Sequence, residues 1–153
     1  MKHDEIKNRL LAAMKEVELK DVVLLKNNLS ERCISSRLAF YLQSAFPEHS
    51  VDLEYNRKGE SPKRLNLPVQ CANDRDDGGD PLVVPDIIVH KRGPEGPNIL
   101  VVELKKTTNR ESRECDHLRI HAFREQLGYE AAATIECETR PDREATLLIS
   151  EWI

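Results

Sequence analysis

The sequence predicts an α/β fold in which helices flank a mixed central sheet. Apolar residues recur at helical spacing in residues 4–17 and 31–45, whereas residues 51–56 alternate strictly between apolar and polar, as in a half-buried strand. Two further apolar runs, 83–89 and 99–104, are separated by a turn rich in Gly and Pro and predict a β-hairpin. The chain length of 153 residues suits one domain with a real core.

The two predicted N-terminal helices are joined by a short apolar link at residues 21–25. Ser30 is a natural N-cap for the second helix, Glu31 suits its first turn, and Pro47 ends it. The buried stripes are expected to contain Ile6, Leu10, Leu11, Met14 and Val17 in the first helix, and Ile34, Leu38, Tyr41, Leu42 and Ala45 in the second.

The rest of the chain continues the alternation of strands and helices. Residues 57–82 form a long polar connection, and a connection of that length inside a compact domain commonly carries function. A helix is predicted at about 110–128, followed by strands at 131–137 and 145–152. The resulting order is helix, helix, three strands, helix and two strands, which favours a mixed sheet with helices on its faces.

Composition limits the classes of protein to which the chain can belong. One third of the residues are charged and no apolar run approaches the ~18 residues of a membrane span, so a soluble, cytoplasmic protein is expected. The net charge of −4 argues against a nucleic-acid coat protein but not against a nucleic-acid substrate. The four cysteines form no CxxC pair and are expected to be free thiols, with a zinc site the less favoured alternative.

Three charged residues of the predicted hairpin are candidates for a site. Asp86 directly follows Pro85, and Glu103 and Lys105 lie at the end of the second strand. Because side chains alternate along a strand, Glu103 and Lys105 project from the same face. Pairing of the two strands would place Asp86 beside Glu103 in an apolar sheet, where a divalent cation would relieve their repulsion.

Pro85-Asp86, a spacer of sixteen residues and Glu103-Leu104-Lys105 together resemble the motif of the PD-(D/E)xK nuclease superfamily. The segments VDLEYNR, PDIIVHKRG and NILVVELKK resemble a group of small prokaryotic members of it. The resemblance implies a restriction-endonuclease-like αβββαβ core over residues 30–137, and a nuclease that hydrolyses phosphodiester bonds with Mg²⁺ or Mn²⁺.

The resemblance also implies roles for individual residues. Asp86, Glu103 and the backbone carbonyl of Leu104 would hold the metal, and Lys105 would orient the nucleophile or stabilise the transition state. Glu31 would approach the metal from the preceding helix, although its position at a helix N-terminus equally suits a dipole role. Glu54 and Asp116 are further candidates for supporting the ligands.

Basic residues near these elements predict contacts with a nucleic-acid backbone, with DNA as the expected nucleic acid. The candidates are Arg57, Lys58, Lys63, Arg64, Lys91, Arg92 and Lys106. Because many nucleases of this fold pair to cut two strands, the resemblance also suggests a homodimer.

Two alternatives remain open from the sequence. One is a nuclease-like module that binds nucleic acid or protein without cleaving it, which the acidic net charge favours. The other is an unrelated α/β protein in which Asp86 and Glu103-Leu104-Lys105 coincide with the motif by chance.

Overall fold

The computed structural model describes residues 1–54, 57–58, 61–62, 65–75, 77–79, 81–93 and 95–153. A five-stranded sheet forms its centre, and helices pack on both faces of that sheet. The elements are α1 (His3–Lys20), α2 (Val22–Lys26), α3 (Glu31–Ala45), β1 (Ser50–Leu53), β2 (Arg57–Lys58), β3 (Ser61–Pro62), β4 (Asp74–Arg75), β5 (Pro81–Leu82), β6 (Ile87–His90), β7 (Asn98–Lys106), α4 (Arg113–Leu127), β8 (Ala131–Cys137) and β9 (Leu147–Trp152).

The central sheet is mixed, as predicted, and its strand order is β1-β6-β7-β8-β9. Only the β7–β8 pair is parallel; the other three pairs are antiparallel. A parallel pair needs a crossover connection, and α4 provides it between β7 and β8. This arrangement places α4 against the two central strands.

Two apolar clusters cover the two faces of the sheet. On one face, α1 and α3 pack with alternate residues of β7, including Leu100, Val102 and Leu104. On the other face, Ile120 and Phe123 of α4 pack on Val101 and its neighbours. Because Glu103 and Lys105 share the orientation of Val101, their side chains project toward α4.

The helix predictions are largely confirmed at residue level. Helix α3 begins at Glu31, and the Ser30 hydroxyl accepts a hydrogen bond from the Cys33 amide at 3.1 Å, as a capping residue should. Residues 22–26 form helix α2, so the predicted apolar link is wrong. Leu11 is 43% exposed and lies outside the α1 stripe. None of the described helices is long and apolar enough to cross a membrane.

The first and last strands are shorter than predicted. Strand β1 ends at Leu53. The next residue, Glu54, has a positive φ of 51° and therefore does not continue the extended strand. Residues 55 and 56 of that prediction lie outside the described part of the chain. Strand β9 begins at Leu147 rather than at Ala145.

The prediction that all four cysteines are free thiols is wrong. Cys71 and Cys115 form a disulfide with a Cα–Cα distance of 5.1 Å, and only Cys33 and Cys137 are free. Cys71 ends a 3-10 turn (Val69–Cys71) that packs on α4. The two cysteines are 44 residues apart in sequence, and the fold of the long connection onto α4 brings them together.

Candidate active site

The residues of the sequence motif line a pocket of about 430 Å³, which lies between the end of β7, the first turns of α4 and the 3-10 turn. Its described lining includes Glu31, Asp86, Glu103, Leu104, Lys105 and Asp116, together with Gln70, Ala72, Asn73, Glu111, Ser112, Cys115, Arg119 and Thr134. A larger, more open depression of about 660 Å³ lies along α1, and none of its lining residues belongs to the predicted site.

The end of β7 extends past its neighbour β6, and this overhang shapes the pocket. Pairing with β6 runs from Ile87–Val102 onward, and the residue opposite Leu104 in that register is Pro85, which has no N–H to donate. The Asp86 carboxylate instead accepts a hydrogen bond from the Leu104 amide at 2.8 Å. Because the N–H and C=O of a strand residue face the same side, the Leu104 carbonyl also faces Asp86.

The carboxyl groups of Asp86 and Glu103 are neighbours in this pocket, as the strand pairing predicted. Burial raises the pKa of Asp86 to about 6, although the hydrogen bond from Leu104 acts in the opposite direction. Burial and then the neighbouring Asp86 carboxylate raise the pKa of Glu103 well above its usual range. One Glu103 oxygen, Oε1, is buried without a hydrogen-bond partner among the described residues.

Lys105 is buried beside this pair, and α4 supplies its counter-ion. The Lys105 ammonium lies 2.5 Å from Asp116 Oδ2, and both side chains are almost fully buried. Asp116 Oδ1 also accepts a hydrogen bond from Arg119 at 2.6 Å. Asp116 therefore fixes the position of Lys105, which is the supporting place that the sequence suggested for it.

Glu31 reaches the pocket from the first turn of α3 but is held by several hydrogen bonds. Its carboxylate accepts from the Lys106 amide at 2.7 Å, and from the Asn109 side chain at 2.9 and 3.1 Å. The Lys106 amide faces the same side of β7 as that of Leu104, so Glu31 and Asp86 complete the hydrogen bonds of the overhanging strand edge. Both interpretations of Glu31, as helix-terminus carboxylate and as pocket residue, thus describe its position.

A strap formed by residues 69–73 covers one side of the pocket and was not anticipated as part of it. The disulfide fixes Cys71 to α4, and Arg119 donates to the Cys71 carbonyl at 3.1 Å. The Asn73 side chain joins the strap to Val84 through bonds of 2.8 and 2.6 Å. Asn73, Arg119 and Asn109 are therefore site residues that sequence reasoning missed.

Three of the predicted residues lie away from the pocket. Glu54 is half exposed and its carboxylate is 3.5 Å from Arg32, although its amide donates to the Asp86 carbonyl at 3.1 Å. Lys91 and Arg92 follow the last residue of β6, whereas Asp86 precedes the first, so they occupy the opposite end of that strand. Arg92 binds Asp52 there.

The remaining basic candidates divide into two groups. The amide of Lys106 binds the pocket residue Glu31, and its ammonium donates to the side-chain oxygen of Asn28 at 3.0 Å. Arg57 and Lys58 form β2, but their side chains lie outside the part of the chain that the structure describes. Lys63 and Arg64 lie outside it entirely.

The charge balance of the pocket suits a bound cation. Among its described lining residues, five are acidic and two are basic. The acidic oxygens and the Leu104 carbonyl are hard ligands of the kind that Mg²⁺ and Mn²⁺ prefer. A cation bound here would also provide a partner for the Glu103 oxygen that has no hydrogen bond among the described residues.

Comparison of the chain with protein-family models, with curated proteins and with solved structures found no match.

Proposed function

We propose that the chain is a metal-dependent nuclease that hydrolyses phosphodiester bonds, with DNA as its substrate. The observation that carries this proposal is that the Asp86 and Glu103 carboxyl groups line one pocket together with the buried Lys105. Buried carboxyls with strongly raised pKa values are uncommon in purely structural positions and are typical of functional sites.

Asp86, Glu103 and the Leu104 carbonyl are the groups that would hold Mg²⁺ or Mn²⁺. Both acids line the pocket. Burial raises the pKa of both, and the Asp86 carboxylate raises that of Glu103 further, so a bound cation would favour their charged forms. The chemistry that such an ion supplies when bound is neutralisation of phosphate charge and activation of a water nucleophile.

Lys105 would act on the phosphate by electrostatic stabilisation. Its ammonium is held in place by Asp116, so little reorganisation is needed when negative charge develops on the phosphate. Arg119 in turn holds Asp116, and the Cys71 carbonyl holds Arg119. We therefore assign Asp116 and Arg119 as positioning residues.

The element order around the site supports a restriction-endonuclease-like core. Apart from the short strands β2 to β5, which lie outside the central sheet, helix α3, strands β1, β6 and β7, helix α4 and strand β8 have the order αβββαβ. Asp86 directly precedes β6 and Glu103 lies on β7. Because duplex cleavage needs two hydrolytic events, pairing of two chains is part of the proposal.

A second candidate function is binding without cleavage. The buried ion pair between Lys105 and Asp116 favours it, because an ammonium that is already neutralised has less effect on a phosphate. In that case the same pocket would recognise nucleic acid or a protein partner.

A cleavage assay tests the proposal and separates it from the alternative. Tag-free protein is incubated with supercoiled plasmid, single-stranded DNA and RNA in Mg²⁺, in Mn²⁺ and with a chelator. We expect metal-dependent cleavage of DNA that falls at least about 100-fold in Lys105→Ala. Lys20→Ala, which removes an exposed lysine of α1, is the matched control and should cleave normally.

Two outcomes would count against the nuclease. Equal cleavage by wild type and Lys105→Ala would identify a contaminating enzyme. Binding of DNA without cleavage, whichever metal ion is added, would favour the module that binds nucleic acid without cleaving it.

A further inference from the structure

A second group of side chains that could ligate a metal lies between α4 and β9, and none of its members lines the candidate active site. His117 and His121 are one helical turn apart on α4, and Glu151 reaches them from β9. One ligand atom from each of the three residues lies within 4.8 Å of the other two. We propose that His117, His121 and Glu151 together bind a single divalent transition-metal ion such as Zn²⁺.

The spacing of the two histidines suits coordination of one ion. Residues i and i+4 of a helix share one face, and the two imidazole rings lie with centroids 4.2 Å apart. Ligands of a tetrahedral zinc ion are roughly 3.3 Å apart, given bonds of about 2.0–2.1 Å. The half-exposed side chains need only small rotations to close from 4.8 Å to that distance.

The Glu151 carboxylate already faces the first imidazole. His117 Nδ1 lies 2.6 and 2.9 Å from the two Glu151 oxygens. Binding of a dication would replace this hydrogen bond with two coordinate bonds. The open side of the cluster faces solvent, which leaves room for water in the remaining coordination positions.

The supporting elements are fixed, so the ligands are presented by a stable framework. The disulfide at Cys115 anchors the start of α4, and β9 is hydrogen-bonded to β8. Arg113 lines the same surface depression as His117 and Glu151. Its guanidinium is 3.3 Å from Glu136 and 3.8 Å from Asp116, and these two carboxylates offset its charge.

The ligand chemistry distinguishes this cluster from the pocket at Asp86. Two imidazoles and one carboxylate favour Zn²⁺, Co²⁺, Ni²⁺ or Cu²⁺ over Mg²⁺, whereas an all-oxygen set is the kind that suits Mg²⁺ and Mn²⁺. The proposal therefore stands independently of the proposed nuclease activity.

Calorimetric titration of the chelator-treated, tag-free protein with Zn²⁺ tests the site. We expect one ion per chain, with affinity reduced at least about tenfold in each of His117→Ala, His121→Ala and Glu151→Gln. The melting temperature should rise with Zn²⁺ in the wild type and much less in these variants. Titration with Co²⁺ should give visible absorption bands that the same substitutions remove.

Two control variants make the result specific. His3→Gln removes an exposed imidazole from α1, on the other face of the sheet, and should bind Zn²⁺ normally. Glu103→Gln alters the candidate active site and should also retain Zn²⁺ binding. Circular dichroism without metal checks that every variant is folded, and His117→Gln replaces His117→Ala if the latter is not.

The proposal is overturned by three results. These are the absence of saturable Zn²⁺ binding near one ion per chain, binding that the three ligand substitutions leave unchanged, and binding lost in Glu103→Gln but kept in His117→Ala. The third result would assign the ion to the pocket at Asp86.

Discussion

Asp52 and Asp86 lie near opposite ends of strand β6 and have opposite surroundings. At the hairpin end, Asp52 binds the Arg92 guanidinium, and the His90 imidazole lies 2.6 Å from its Oδ2. Hydrogen bonds from Arg92 and then His90 lower the pKa of Asp52, although partial burial acts in the other direction. The charge of this carboxylate is compensated within the chain.

At the other end of β6, Asp86 meets a second carboxyl group instead of a cation. Burial raises its pKa to about 6, and the pKa of Glu103 is raised further. Two buried cations of the pocket, Lys105 and Arg119, are both paired with Asp116. The comparison indicates that the hairpin end is built for stability, whereas the site end keeps an electrostatic cost that a ligand would relieve.

The largest expected difference between the two ends is in cleavage. Glu103→Gln removes a proposed metal ligand and should lower the rate of DNA cleavage by about 1000-fold. Asp52→Asn, an equivalent loss of one carboxylate charge at the hairpin end, should leave the rate within about twofold. Single-turnover rates measured well below the melting temperature compare the two, and equal losses would remove the functional distinction.

The strap should stabilise the site end strongly. Replacing both cysteines in Cys71→Ser/Cys115→Ser removes a cross-link between positions 44 residues apart, and should lower the free energy of unfolding by about 4 kcal/mol. Cys33→Ser, at a free thiol, is the control and should have little effect. Urea unfolding without reductant measures both, and equal midpoints for the double variant and wild type would contradict the prediction.

Asp86→Asn should stabilise the metal-free protein at alkaline pH. Because the folded-state pKa of about 6 lies above the unfolded value of 3.8, folding is favoured while Asp86 is protonated, and stability is lost as the pH rises through 6. Removing the charge should therefore raise the free energy of unfolding by about 3 kcal/mol at pH 8. The gain should disappear as the pH falls from 6 toward 4, as urea unfolding across that range would detect.

Metal ions supply the matched control for this prediction. Mn²⁺ should raise the melting temperature of the wild type at pH 8 and have little effect on Asp86→Asn. An Asp86→Asn variant that is less stable than wild type at pH 8 without metal would show that the carboxylate is compensated after all.

The smallest effect is expected from Asp52→Asn on stability, and its sign is opposite. The lowered pKa means that Asp52 favours folding above its unfolded value of 3.8, and that this contribution is lost as the pH falls through the folded-state value. Because Arg92 is 62% exposed and solvent screens the pair, the cost at pH 7 should be only about 1 kcal/mol. Urea unfolding at pH 7 that gives a stabilised variant would contradict it.

Local sequence signals predicted most of the framework. The Ser30 cap and the apolar stripe fixed the start and the buried face of α3, because capping and helical periodicity act within a few residues. The same holds for β7, where alternation placed Glu103 and Lys105 on one face. At α2 the local signal failed, because five residues are too few to show periodicity.

The composition of the site was only partly accessible from the sequence. Asp86 and Glu103 were predicted to meet because hairpin pairing follows from adjacent strands. Arg119 and Asn109 were missed because their partners, the Cys71 carbonyl and Glu31, are 48 and 78 residues away. The basic residues of the hairpin tip were grouped with the site although β6 separates them from it.

The sequence by itself determined the helices, the strands and the alternation that directs two acids and a lysine toward the middle of a sheet, since each depends on neighbours a few residues apart. Tertiary structure alone decided which charges are compensated, because that depends on contacts made across the fold. It joined Cys71 to Cys115, gave Asp116 to Lys105 and Arg92 to Asp52, and left Asp86 and Glu103 facing each other.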